Sequence, residues 1–208
     1  MSIYVLAGPN GAGKSSIGGA MIRAMGADYF DPDEAAQKIA AVNVGATTAE
    51  VNSAAWHEGR RLLERAIAER GNFAFETTLG GTTIPMLLAR AIGAAIDVHI
   101  WYVALDSPEL HLARVAARVA RGGHDIPEHD VRRRYDASRQ NLIDLMPYLT
   151  SLHVYDNSAD VDLAAGEVPE PHLMLHLERN TVIAHCELAT APEWVKPILV
   201  TALRERAV

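Results

Sequence analysis

The stretch Gly8-Pro9-Asn10-Gly11-Ala12-Gly13-Lys14-Ser15 constrains this chain more than any other. It fits the pattern of Gly, any four residues, then Gly-Lys-Ser/Thr. The apolar run Ile3-Tyr4-Val5-Leu6-Ala7 before it reads as a buried strand, and Ser16 to Met25 after it as a helix. Glycines at 8, 11 and 13 let the backbone turn without Cβ clashes. The loop N–H groups and the helix N-terminus then make a concave site for anionic oxygens. Residues Gly8 to Ser16 are therefore expected to cradle a nucleoside triphosphate, ATP with GTP left open. Lys14 is expected to act as a point charge on the β- and γ-phosphates. The Ser15 hydroxyl is expected to coordinate Mg²⁺, which usually keeps several waters. The motif does not decide what becomes of the γ-phosphate.

Strands and helices alternate through residue 158. After Ile3–Ala7 come a short strand at Asp28–Phe30, a helix start at Asp31-Pro32-Asp33, and a long helix from about Ala49 to Arg70. Thr47 or Thr48 caps that helix and Gly71 stops it. Asn72–Phe75 and Ile96–Leu105 read as strands, with a helix from Thr82 or Thr83 to Ile92 between them. Two helices follow, split at Gly122-Gly123-His124-Asp125-Ile126-Pro127, and then the strand Leu152–Tyr155. This alternation predicts an α/β fold, a five-stranded parallel sheet with helices on both faces. A loop from Ala159 to Pro171 leads to a candidate hairpin, His172–Leu177 and Thr181–Cys186, and a terminal helix from Pro192 to Arg206. At 208 residues the chain suits one domain, with a core over 1–158 and the hairpin and helix over 172–208.

In parallel sheets ligands bind beyond the carboxyl ends of the strands. Polar clusters stand at five such ends: the phosphate loop, Asp31 with Asp33, Glu76-Thr77-Thr78, Asp106-Ser107, and Asp156-Asn157-Ser158. Asp106-Ser107 reads better as a helix cap, and Asp156-Asn157-Ser158 could border the nucleotide base. Phosphoryl transfer needs an orienting carboxylate, positive charge and water exclusion. Asp33 is the candidate base, and Glu76, Thr77 and Thr78 are candidates to hold the acceptor. Arg114, Arg118 and Arg121 lie on one helical face, Gly122-Gly123 supplies a hinge, and Arg134 returns on the next helix. Two readings stand for these arginines, a lid over the triphosphate or a salt-bridged surface.

Leu6 to Ser15, Asp33-Glu34, Phe75 to Leu79, Arg118 to His124 and Arg134-Tyr135 together resemble the zeta-toxin-like branch of P-loop kinases. The resemblance implies a kinase acting on a sugar-nucleotide hydroxyl, UDP-N-acetylglucosamine in studied members, and a toxin with an antitoxin partner. It implies Lys14 and Ser15 on phosphate and metal, Asp33 as base, Glu76 and Thr78 on the acceptor, and Arg121 and Arg134 on the transferring phosphate. Where relatives often have Asn-x-Asp this chain has Asp31-Pro32-Asp33, so a second carboxylate stands nearby.

The net charge of −7 disfavours nonspecific nucleic-acid binding. Cys186, alone, excludes an internal disulfide, suits a reducing cytoplasm and reads as a small buried hydrophobe. No signal peptide is expected before the first strand, and no apolar run approaches the ~20 residues of a membrane span. His124, Asp125, His129 and Asp130 read as polar loop residues rather than a metal site. His172 and His176 share a face if this segment is a strand, and a hairpin surface accounts for them. Trp56 and Trp101 read as packing residues. The expected activity is that of a Mg²⁺–ATP-dependent kinase on a small hydroxyl acceptor. The alternative is an ATP-dependent switch acting through a partner protein.

Overall fold

The structure, a computed structural model, describes residues 1–14, 29–159 and 170–204. The expected first helix beyond Lys14, with Ser15 and Ser16, and most of the 159–171 loop lie outside them. Strands β1 (Ser2–Ala7), β2 (Tyr29–Phe30), β3 (Phe73–Thr77), β4 (Asp97–Ala104), β5 (Ser151–Asp156), β6 (His172–Glu178) and β7 (Thr181–His185) form one sheet. Its order is β2-β3-β1-β4-β5-β6-β7. The first five are mutually parallel, as the alternating pattern requires. The hairpin extends this sheet, with β6 antiparallel to β5 and β7 antiparallel to β6.

β1 lies between β3 and β4, and Ile3, Val5, Leu6 and Ala7 are wholly buried. That burial on both sides explains why the run before the glycines is apolar without alternation. One sheet face carries Ile3, Val5, Phe75, Ile100, Leu152 and Leu175 into the main core. The other carries Leu6, Ala74, Trp101 and Val103, with Tyr4, Tyr29 and Tyr155 beside them.

Among the described residues the helices are α1 (Pro32–Val42), α2 (Thr48–Glu69), α3 (Thr83–Gly93), α4 (Pro108–Ala120), α5 (Glu128–Leu145) and α6 (Lys196–Arg204). Leu63 and Ile67 of α2, Leu87 and Leu88 of α3, Leu142 of α5 and Ile198 of α6 close the main core. α2 opens with a reciprocal capping box, Thr47 accepting from the Glu50 N–H and Glu50 from the Thr47 N–H. Its left-handed terminal residue is Arg70 (φ 53°) rather than Gly71, whose N–H bonds Ala66 O at 2.9 Å. α6 begins at Lys196, later than the expected Pro192. The intervening turn buries Trp194, whose indole N–H donates to Asp156 at 3.1 Å.

The hairpin turns through Arg179 and Asn180, both left-handed (φ 46° and 59°), the geometry of a tight two-residue connection. A bulge at Met174 shifts the β5–β6 register: Leu173 stands opposite Tyr155, and Leu175 opposite Val154. The extra residue places His172 opposite Asp156 and His176 opposite His153. The two histidines therefore occupy opposite faces, and the expectation of a shared face fails because the strand is not regular.

Candidate active site

The phosphate loop leaves β1 at the carboxyl edge of the sheet, wedged against β4. A Cβ on Gly8 (φ +138°) would stand 1.9 Å from Val103 O. A Cβ on Gly13 (φ +84°) would meet Asn157 Nδ2 at 2.6 Å. Side chains from distant segments fix the loop's outward carbonyls. Asn157 Nδ2 donates to Ala12 O at 2.9 Å, and Arg114 in turn donates to Asn157 O at 2.8 Å. His111, wholly buried on α4, bonds Asn10 O through Nδ1 at 2.7 Å and accepts the Leu105 N–H at Nε2 at 3.2 Å. The two contacts require the Nδ1–H tautomer. Burial pushes this imidazole down to about 4, so it is neutral at physiological pH. Arg134 donates to the Asn10 side chain at 2.9 Å.

Lys14 is buried, and its ammonium donates to Gly8 O at 2.8 Å and Pro9 O at 3.2 Å. Glu76 lies 3.5 Å from it and accepts from the Tyr29 hydroxyl at 3.2 Å. A cleft of about 800 Å³ opens beside this group. Lys14, Asp33, Glu76, Thr77, Thr78, Arg118 and Arg134 all line it, although they come from five separate segments. Thr77 and Thr78 use their hydroxyl oxygens to accept the N–H groups of Leu79 and Gly80. Each keeps a hydroxyl hydrogen to donate.

The two carboxylates of Asp31-Pro32-Asp33 separate by role. Asp31 caps α1, accepting from the N–H groups of Asp33 and Glu34 at 2.8 and 3.4 Å. Burial, with Glu76 nearby, pushes its carboxyl above the ordinary range. Asp33 projects into the cleft, with Arg118 at 3.5 Å and His124 at 4.0 Å.

The arginines also divide. Arg132 pairs with Glu109 and Glu128 on the surface, and Arg133 with Asp130. Arg114 and Arg118 line the cleft. Arg121 lies in an adjoining depression that also touches Asp33 and Arg118. Burial lowers the affinity of Arg114 and Arg134 for their protons, yet a guanidinium stays charged. Val115, Ile126 and Val131 form a small apolar cluster of their own, tying α4, the intervening loop and α5 together.

Ser107 caps α4 as expected, accepting the Leu110 N–H. His124 and Asp125, in the loop between α4 and α5, and His129 and Asp130, in the first turn of α5, each lie beside protein partners. Trp101 packs, buried, as expected. Trp56 departs from its expected packing role: on a cleft-facing turn of α2 it stays 42% exposed and forms part of the wall with Phe30. Asn157 is a loop brace. His111 carried no sequence signal, because its partners are distant in the chain and its position on α4 is that of an ordinary buried residue.

One sequence relative and two solved structures set this geometry in context. The chain is 39% identical to a shikimate kinase of Corynebacterium efficiens over 99 residues, 48% of this chain and 56% of that enzyme. The AvrRxo1-ORF1:-ORF2 complex with ATP superposes with a TM-score of 0.67 at 15% identity, over 97% of this chain and 63% of that one. This chain thus spans less than two thirds of that protein. The PezAT chromosomal toxin-antitoxin system of Streptococcus pneumoniae gives 0.52 at 13% identity, over 99% of this chain and 86% of that one. Both structural likenesses are likenesses of fold. The zeta toxin profile matches residues 2–164, most of the chain, and with the kinase relative it agrees with the braced phosphate loop and buried lysine: the chain belongs to the zeta toxin family and is a nucleotide-binding P-loop phosphotransferase.

Proposed function

We propose that this protein transfers the γ-phosphate of Mg²⁺–ATP to a hydroxyl of a small molecule, and that the acceptor is a nucleotide sugar of the UDP-N-acetylglucosamine class. The observation that carries the reading is the meeting of Lys14, Asp33 and Glu76 around one cleft. Phosphate loops of purely switching proteins need no second carboxylate wall. Here Asp33 faces open space wide enough for an acceptor, and takes the proton released as the acceptor oxygen bonds the γ-phosphorus and ADP departs. Glu76, Thr77 and Thr78 orient that acceptor by hydrogen bonds. Phe30 and Trp56 offer it a flat apolar wall.

Lys14 exchanges the carbonyls of Gly8 and Pro9 for phosphate oxygens when the triphosphate binds. Arg118 and Arg134 stand where charge builds on the transferring group, and Arg121 joins them when the end of α4 swings about Gly122 (φ +90°). The carboxylates beside the loop are the hard oxygen donors that Mg²⁺ takes directly or through water, with Ser15 as its hydroxyl ligand. Bound there, Mg²⁺ would neutralise charge on the β- and γ-oxygens. The family supports a further step, that the protein is a cytoplasmic toxin restrained by an antitoxin partner.

Labelled ATP with a panel of nucleotide sugars tests the chemistry. Acceptor should stimulate ADP release, and Asp33→Ala should abolish transfer while nucleotide still binds. Full activity in that variant, or stimulation by protein partners alone, would move the assignment to a switch. Growth arrest on expression, absent with Lys14→Ala, checks the toxin role.

A further inference from the structure

Away from the cleft, on the sheet face that carries Trp101, the antiparallel pair β5–β6 brings His153, His176 and Glu178 together. His153 and His176 are direct register partners, and their ring centroids lie 4.0 Å apart. Trp101 stacks on the His153 ring at 5.8 Å and 6° between planes, so its orientation is set. Glu178 follows His176 by two residues and shares its face. His176 Nε2 lies 3.0 Å from Glu178 Oε1. One donor atom from each of the three residues lies within 4.8 Å of the other two. His153 Nδ1 is buried and has no hydrogen-bond partner. A buried ring nitrogen left without a partner is costly unless something satisfies it. His99, the neighbouring imidazole on this face, already spends Nδ1 on the Ser151 hydroxyl at 2.8 Å. None of His153, His176 and Glu178 lines the cleft.

We propose that His153, His176 and Glu178 form a binding site for a divalent transition cation of the zinc type, which pins β6 to β5 where the sheet changes from parallel to antiparallel. Two imidazoles and a carboxylate are a ligand set that zinc accepts, with water in the fourth position. Bonds of about 2.0–2.2 Å set tetrahedral ligand atoms about 3.3–3.6 Å apart. The His176–Glu178 edge stands near that spacing at 3.0 Å. The remaining edges close by rotating half-buried side chains on fixed strands. The ligand set also separates this site from the cleft, whose oxygen donors favour Mg²⁺.

The test uses the full chain, freed of metal with chelator and titrated with Co²⁺ and then Zn²⁺. One equivalent of Co²⁺ should produce visible d–d absorption of low-coordinate cobalt, and Zn²⁺ should displace it and raise the melting temperature. His176→Ala and Glu178→Gln, at partly exposed positions, should each weaken binding by about tenfold or more. Binding of a fluorescent ATP analogue should be unchanged in both. Zinc affinity untouched by either change would assign the metal to other histidines and overturn the proposal. So would an absence of saturable binding by the unaltered protein. His153→Ala opens a buried space, so circular dichroism must first show that it folds; loss of cobalt absorption in a folded variant supports the site.

Discussion

Gly8 has no room for a side chain. A methyl group there would stand 1.9 Å from the Val103 carbonyl, on a backbone that L residues rarely adopt. Gly8→Ala should destabilise the protein by about 3 kcal/mol or more, read as a fall in urea midpoint. His111 makes a pH prediction. Its native imidazole refuses a proton until about 4, whereas an unfolded one takes it near the ordinary histidine value of 6.5. As pH falls through that window the unfolded state binds the extra proton, so stability is present above 6.5 and lost toward 4. The loss should be on the order of 3 kcal/mol, and His111→Gln should remove that pH slope from urea unfolding curves. At this scale the glycines and Lys14 were legible in the sequence, because phosphate chemistry imposes their spacing. His111 and Asn157 were not: they bond the loop from 101 and 145 positions away.

Three of the six described α-helices open on a capping side chain: Asp31 for α1, Thr47 for α2 and Ser107 for α4. The Thr47–Glu50 box starts α2, and Thr47→Ala should cost about 1 kcal/mol in chemical denaturation. The turn between β6 and β7 is less well matched to its residues. Arg179 and Asn180 both sit left-handed, and an Asn-Gly pair suits that geometry better. Arg179→Asn with Asn180→Gly should raise stability by about 0.5–1 kcal/mol, with no change in nucleotide affinity. The strands of the core were readable because each is a short apolar run bounded by polar residues. The partner of β6 was not, since pairing is a contact between distant segments that leaves no periodic trace. The orientation of Trp56 escaped for a related reason: helical spacing groups residues on a face but does not say whether that face meets core or cleft.

For the molecule as a whole, the nucleotide should act as a folding ligand. At 100-fold its dissociation constant a ligand of the native state adds about 2.7 kcal/mol. Mg²⁺–ATP should therefore raise the melting temperature by several degrees, and Lys14→Ala should abolish that rise while keeping the unliganded melting temperature within a few degrees. The five parallel strands and their order of appearance were legible as alternation, and so was the gathering of polar strand ends at one edge. The antiparallel extension changes what that edge is attached to. It bends at Met174, the one residue of β6 that has no counterpart on β5. Excising Met174 would leave Leu173 opposite Tyr155 and His172 opposite Asp156, on a strand that no longer bulges. What would go is a side chain that the main core now encloses, so the hairpin would keep its phase and lose part of its anchorage.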